Sequence, residues 1–366
     1  MTQARVIPIG GERPRRSGGR SAGDKAASAV AAGAARAGGE RARRRRQATP
    51  LITEPPAPAD GDMMRAGREA EAIGERVVEN LSREAAPSEV ERQLAAAMAF
   101  LRRRITGEYH VDEYGFDAEF TDVVVMNLLR PLYRKWFRVD VRGIENVPSD
   151  GGALVVANHS GTVALDALMT QVAVHDEHPQ RRHLRMLGAD LVFSTPVIGD
   201  LARKTGSTLA ANPDAERLLS DGHLVGVWPE GFKGIGKPFS ERYKLQRFGR
   251  GGFVSAALRT RTPIIPCSIV GAEEIYPILG NAGTVARVLG LPYAPVTPTW
   301  PWLGPLGLVP LPTKWLIEFS SPITTDDAGE GGADDPMLVF DLTDQVRETI
   351  QQTLYSLLVQ RRSVFF

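Results

Sequence analysis

Cysteine is almost missing from this sequence: Cys267 is the only one in 366 residues. That leaves no intramolecular disulfide and removes a cysteine-based structural metal site. Long apolar runs are missing too. No stretch of eighteen uncharged apolar residues occurs, so no membrane-spanning helix is predicted. No apolar segment follows the N-terminal charges, which argues against a secretory signal. No Gly-x-Ser-x-Gly elbow falls between residues 137 and 366, so a serine acyl-enzyme of the hydrolase type is not expected. Internal repeats are also lacking. The expected compartment is the cytosol, from which a lipid would be reached at the membrane surface.

What is present is unevenly spread. Residues 1–46 hold twelve Arg and Lys against three acids, a net +9, so residues 47–366 carry −8 beneath an overall charge of +1. The segment 1–60, rich in Arg, Ala and Gly and ending in the Pro-rich Pro50–Asp60, has too few large apolar residues to offset the entropy of ordering and reads as a disordered tail. Its Arg41–Arg46 cluster has the charge to meet anionic lipid or, nonspecifically, nucleic acid. It lacks the aromatic residues that stack on bases, so no specific nucleic-acid partner is expected.

Residues 61–136 read as a helical segment. Val90, Leu94, Met98 and Leu101 recur at helical spacing, and Pro87 is placed to start the second of two helices over 62–106. A further amphipathic helix is expected over 119–137, with Val123, Leu128, Leu132 and Trp136 on or near one face. Its basic and aromatic end suits either a lipid headgroup layer or core packing with snorkelling charges. From 137 to 366 short apolar strands alternate with helices, the pattern of a single α/β domain with a mostly parallel sheet flanked by helices. Within it, 284–312 carries seven prolines among Trp and Leu residues. It reads as a long apolar loop without regular elements, suited to an acyl pocket, a membrane surface or core cover.

The chemistry centres on Asn158-His159-Ser160-Gly161-Thr162-Val163-Ala164-Leu165-Asp166. His159 follows a strand of the buried type, at a strand-to-helix junction where α/β proteins place ligands. A histidine acting as a base needs a partner on its other ring nitrogen, and Asp166 is the candidate. Seven residues of continuous helix would separate the two by about 10 Å along the axis, so the Ser-Gly-Thr turn must fold back. Gly161 supplies a free backbone N–H there. The island Trp228-Pro229-Glu230-Gly231-Phe232-Lys233-Gly234 ends another strand and brings Glu230 to the same sheet edge. Lys233 and Lys237 follow as candidates for a phosphate or carbonyl oxygen. The remaining histidines, His110, His175, His178, His183 and His223, show no ligand spacing with carboxylates and read as surface or loop residues. No metal is expected.

These blocks resemble those of the phospholipid and glycerol acyltransferases of the lysophosphatidic acid acyltransferase type, in the same order over about Val141–Ser321. The resemblance implies a glycerol-phosphate-acyltransferase-like domain without a cofactor, using acyl-coenzyme A or acyl-acyl-carrier-protein as donor and a lipid hydroxyl as acceptor. By resemblance His159 is the base, Asp166 orients it, and Glu230 and Gly231 bind the acceptor; N–H groups near Gly161 or Gly231 meet the oxyanion. Pro266 matches the central proline of the fourth block. Three departures stand out. Six residues separate His159 from Asp166 instead of four, Asn212 occupies the place of the phosphate-binding arginine, and Phe232-Lys233 replaces Thr-Arg. Arg250-Gly251-Gly252-Phe253-Val254 and Gly271-Ala272-Glu273-Glu274 look like the monoacylglycerol and diacylglycerol branch. The implied function is therefore acylation of a glycerolipid such as lysophosphatidate at the membrane periphery. The alternatives are a neutral acylglycerol or other lipid-alcohol acceptor, or a non-catalytic protein that binds lipid through the tail and the 284–312 loop.

Overall fold

Strand β2 (Ala153–Ala157) is buried at all five positions, as a strand covered on both faces must be. The computed structural model describes residues 89–249, 251–288, 293–329 and 331–366. The tail over 1–60, the first expected helix, Pro87, Arg250, Leu289, Leu291 and Pro292 lie outside them.

The remaining strands are β1 (Asp140–Arg142), β3 (Leu184–Gly188), β4 (Thr208–Leu209), β5 (Leu224–Val227), β6 (Ile264–Val270), β7 (Gly280–Asn281), β8 (Pro295–Val296) and β9 (Leu316–Phe319). The main sheet runs in the order β1-β9-β6-β2-β5-β3-β4. Strands β6, β2, β5, β3 and β4 are mutually parallel. Strand β9 joins β6 antiparallel, and β1 runs parallel to β9. The expected mostly parallel sheet is present, with its reversed strands at one side.

Alternating side chains feed two cores. Val155, Ile265, Cys267 and Ile269 face one layer, which α2 (118–136) and α3 (Leu165–Glu177) cover after α1 (Glu89–Thr106). Leu154, Val156, Ile264 and Val270 face the other, which α4 (Asn212–Ser220), α5 (Gly252–Thr260) and α6 (Pro336–Gln360) cover. Ala95–Phe366 packs as one compact unit, so the helical residues from Ala95 onward belong with the α/β body.

Two expectations are corrected. The apolar face read from α2 is not its buried face: Leu128 is 70% exposed, and Val123 and Trp136 are also exposed, whereas Val125, Met126, Leu129, Tyr133 and Phe137 enter the core. Two π-helical turns, Thr121–Val125 and Leu132–Trp136, interrupt the α-helix. Each widened turn shifts the stripe that a regular 3.6-residue period would predict. The 284–312 region also contains regular pieces, namely a helix over Gly283–Val288, strand β8 paired antiparallel with β7, and a 3-10 turn over Gly304–Leu308. Proline forbids long elements here, and these are all short. Among the described residues, no helix is long and apolar enough to cross a membrane.

Candidate active site

The parallel neighbours β5, β2 and β6 end side by side, and the residues following them build the site. Beyond β2, Asn158 continues the ladder with its side chain. Its Oδ1 accepts from the Ile269 N–H at 2.7 Å and its Nδ2 donates to the Ile269 carbonyl at 3.0 Å. This locks the strand end immediately before His159.

The chain then folds back as the spacing requires. Gly161 (φ 95°) and Thr162 (φ 59°) both take left-handed conformations, a strained choice for a β-branched residue. A Cβ on Gly161 would lie 3.1 Å from the Ala272 carbonyl oxygen. The Tyr293 hydroxyl donates to the Thr162 carbonyl and ties the loop down from the 284–312 region. The outcome is direct contact: His159 Nδ1 lies 2.7 Å from Asp166 Oδ2. Asp166 is fully buried at the start of α3 and also accepts the N–H groups of Ser160 at 2.8 Å and Ala167 at 2.9 Å. The imidazole and two backbone N–H groups together fix the position of this carboxylate. With Nδ1–H directed at that carboxylate, Nε2 carries the lone pair, the tautomer a base requires. The His159 side chain keeps 14% of its surface exposed.

Glu230, beyond β5, reaches inward. Its Oε1 accepts the backbone N–H of His159 at 2.9 Å and its Oε2 accepts that of Gln246 at 2.6 Å. Lys237 Nζ lies 3.5 Å from Glu230 Oε2 and 3.2 Å from Glu273 Oε1, with all three side chains buried. Burial, reinforced by the charge of Glu230 and opposed by Lys237, pushes the Glu273 carboxyl up to about 7. Lys237 therefore faces two carboxylates instead of an open anion site. Lys233 stands exposed in the short helix Phe232–Ile235. The Gly231 N–H donates to the Trp228 carbonyl at 3.0 Å, which leaves the loop at Gly161 as the better source of oxyanion donors.

Two further expected residues lie apart from this group. Asn212 is exposed at the start of α4, its side chain beside Gly252. Pro266 is buried in the middle of β6, level with Val156 and below His159. The surface reading of two histidines is corrected as well: His175 and His178 are buried.

Sequence reasoning passed over Gly234. A Cβ there would lie 2.7 Å from the His159 carbonyl oxygen and 2.8 Å from Glu230 Cβ. Its place within the Glu230-Gly231 island was the available signal. Gly234→Ala is expected to cost about 1–3 kcal/mol by overpacking. By displacing His159 it should also lower kcat by up to about 10²-fold. Gly283→Ala, whose Cβ would meet nothing, should leave both thermal unfolding and turnover unchanged. Equal turnover in the two variants would show that contact at Gly234 does not position His159.

The family model for Acyltransferase matches residues 138–270, which include His159, Gly161, Asp166, Asn212, Glu230, Gly231, Lys233 and Pro266. An uncharacterized protein of Mycobacterium tuberculosis is 60% identical over 285 residues, 78% of this chain and 80% of that protein. The human DGAT1/2-independent enzyme synthesizing storage lipids is 26% identical over 148 residues, 40% of this chain and 44% of that protein. The 1-acyl-sn-glycerol-3-phosphate acyltransferase alpha of Ovis aries is 26% identical over 165 residues, 44% of this chain and 55% of that protein. Over residues 138–270 the chain belongs to the Acyltransferase family.

Proposed function

We propose that this protein transfers a fatty acyl group from a thioester donor, acyl-coenzyme A or acyl-acyl-carrier-protein, to the hydroxyl of a glycerolipid. The 2.7 Å contact between His159 Nδ1 and Asp166, at the mouth of three parallel strands, carries the reading. His159 Nε2 takes the acceptor proton as the hydroxyl oxygen attacks the thioester carbonyl. The carbonyl oxygen becomes an oxyanion near the N–H groups of the Gly161 loop. Collapse expels the thiolate, which recovers the proton from His159. Asp166 holds the ring orientation and stabilises the transient imidazolium. The reaction calls on no cofactor, because proton transfer and oxyanion stabilisation are its only demands.

The acceptor reaches the site from a lipid surface. Trp302, Leu303, Leu306, Leu308 and Val309 are all about half exposed or more. The Trp136 indole donates to the Pro310 carbonyl, bringing the exposed apolar face of α2 alongside them. Such a ridge suits peripheral contact with a membrane.

A neutral acceptor is the second reading. Lys237 is committed to Glu230 and Glu273, and Asn212 stands where the resemblance puts an arginine, so of the cations expected for a phosphate only the exposed Lys233 is left. The sheep relative is named for a phosphorylated acceptor, 1-acyl-sn-glycerol-3-phosphate, and the human relative for the synthesis of storage lipids. Purified protein presented with radiolabelled acyl-coenzyme A and, in parallel, lysophosphatidate, monoacylglycerol and diacylglycerol in vesicles separates them. Monoacylglycerol turning over at least about tenfold faster than lysophosphatidate supports the neutral acceptor, and the reverse ratio restores the phosphorylated one. Transfer to none of them, with donor hydrolysis also absent, would support the non-catalytic lipid-binding alternative.

A further inference from the structure

At the sheet edge opposite His159, three side chains that are distant in sequence converge. Asp122 sits in the first π-helical turn of α2, His175 near the end of α3, and His183 immediately before β3. His175 Nε2 lies 3.2 Å from Asp122 Oδ1, and His183 Nε2 lies 3.6 Å from the same oxygen. All three ligand atoms fall within 4.8 Å of one another.

The surrounding contacts give this cluster a direction. His175 Nδ1 lies 3.0 Å from Asp176 Oδ1, and Arg130 and Arg134 hold the same carboxylate at 2.8 Å each. A carboxylate on one nitrogen of an imidazole aims the lone pair of the other outward, as metal-bound histidines require. Here the other nitrogen faces Asp122 Oδ1, a buried oxygen, and His183 turns its Nε2 to the same oxygen while its Nδ1 is buried without a partner. Two acceptors facing each other at this distance need a cation between them. A proton can bridge one such pair, whereas two imidazoles and a carboxylate aimed at one point match a metal ion. Zinc bonds of about 2.0–2.2 Å in tetrahedral geometry place neighbouring ligand atoms about 3.3–3.6 Å apart, close to the 3.2 and 3.6 Å found here.

We propose that Asp122, His175 and His183 form a zinc site, with Asp176 as the carboxylate that fixes His175. The donor set of two imidazoles and one carboxylate is the borderline type that zinc accepts. Asp122 is 43% exposed and His183 25%, which leaves the fourth position open to water. Nine residues of α3 separate His175 from Asp166, about 13 Å at the helical rise, so the ion takes no part in acyl transfer. It joins α2 to the far end of the helix that carries Asp166 and to the start of β3. A π-helical turn at Asp122 fits this role, since such bulges often sit where a helix meets a ligand.

Full-length protein is stripped with a chelator, dialysed, and titrated with zinc chloride by calorimetry, and separately with cobalt(II) by visible absorption. One equivalent of zinc and the intense spectrum of tetrahedral cobalt are expected. With free zinc at a hundred times Kd, the folding equilibrium constant should rise about a hundredfold, seen as a higher Tm. His183→Gln and Asp122→Asn should each weaken zinc binding at least about tenfold, while His223→Gln leaves it unchanged. If His183→Gln does not fold, the half-exposed position of Asp122→Asn still answers the question. Wild-type protein that binds no more zinc than Asp122→Asn, or an octahedral cobalt spectrum, overturns the proposal.

Discussion

Alanine at position 159 is expected to reduce acyl transfer to a lysolipid or acylglycerol by about 10²–10⁴-fold, the range supplied by a positioned general base. The fold should survive. The imidazole is partly exposed, and Asp166 still accepts the N–H groups of Ser160 and Ala167 in the variant. The backbone N–H of His159 also keeps its bond to Glu230, since that contact is independent of the side chain. Radiolabelled acyl transfer and thermal unfolding measured on one preparation check both halves. Full activity in a folded variant would remove His159 from the chemistry and the mechanism with it.

Glu230→Ala is expected to be the most destabilising single change at the site, at about 3–5 kcal/mol, because one partner of a buried charged group is removed while the others remain. Lys237 would be left with Glu273 alone, and the N–H groups of His159 and Gln246 would lose their acceptor. Activity should fall as well, through kcat, because the backbone of the base loses its anchor. This outcome differs from what the family resemblance implies. A glutamate that binds the acceptor directly would, when removed, raise KM and leave Tm nearly unchanged. Denaturant unfolding and a KM-against-kcat comparison therefore separate the two roles.

Much of the fold was legible because burial dictates composition. Ala153–Ala157 and Ile264–Val270 are apolar at nearly every position, and only a strand covered on both faces tolerates that pattern. The α2 helix shows the limit of such reading. Its existence followed from its spacing, but its buried face did not, because two π-helical turns break the regular period. His159 and Asp166 were legible as residue types in order. Gly234 was not, since its importance is a distance to the His159 carbonyl, and sequence carries no distances.

The sequence by itself determined the class of fold, the strand-to-helix junction that presents His159, and a residue set suited to alcohol acylation. These follow from local periodicity and turn chemistry, which act between near neighbours in the chain. Only the tertiary structure decided that a loop with two left-handed residues closes the long His159–Asp166 spacing to 2.7 Å. It also turned Glu230 and Lys237 inward as a buried support and brought Asp122, His175 and His183 to one point. These outcomes depend on which strands lie side by side and where helices cross them. Close packing sets those relations among residues tens of positions apart, and no local pattern records them.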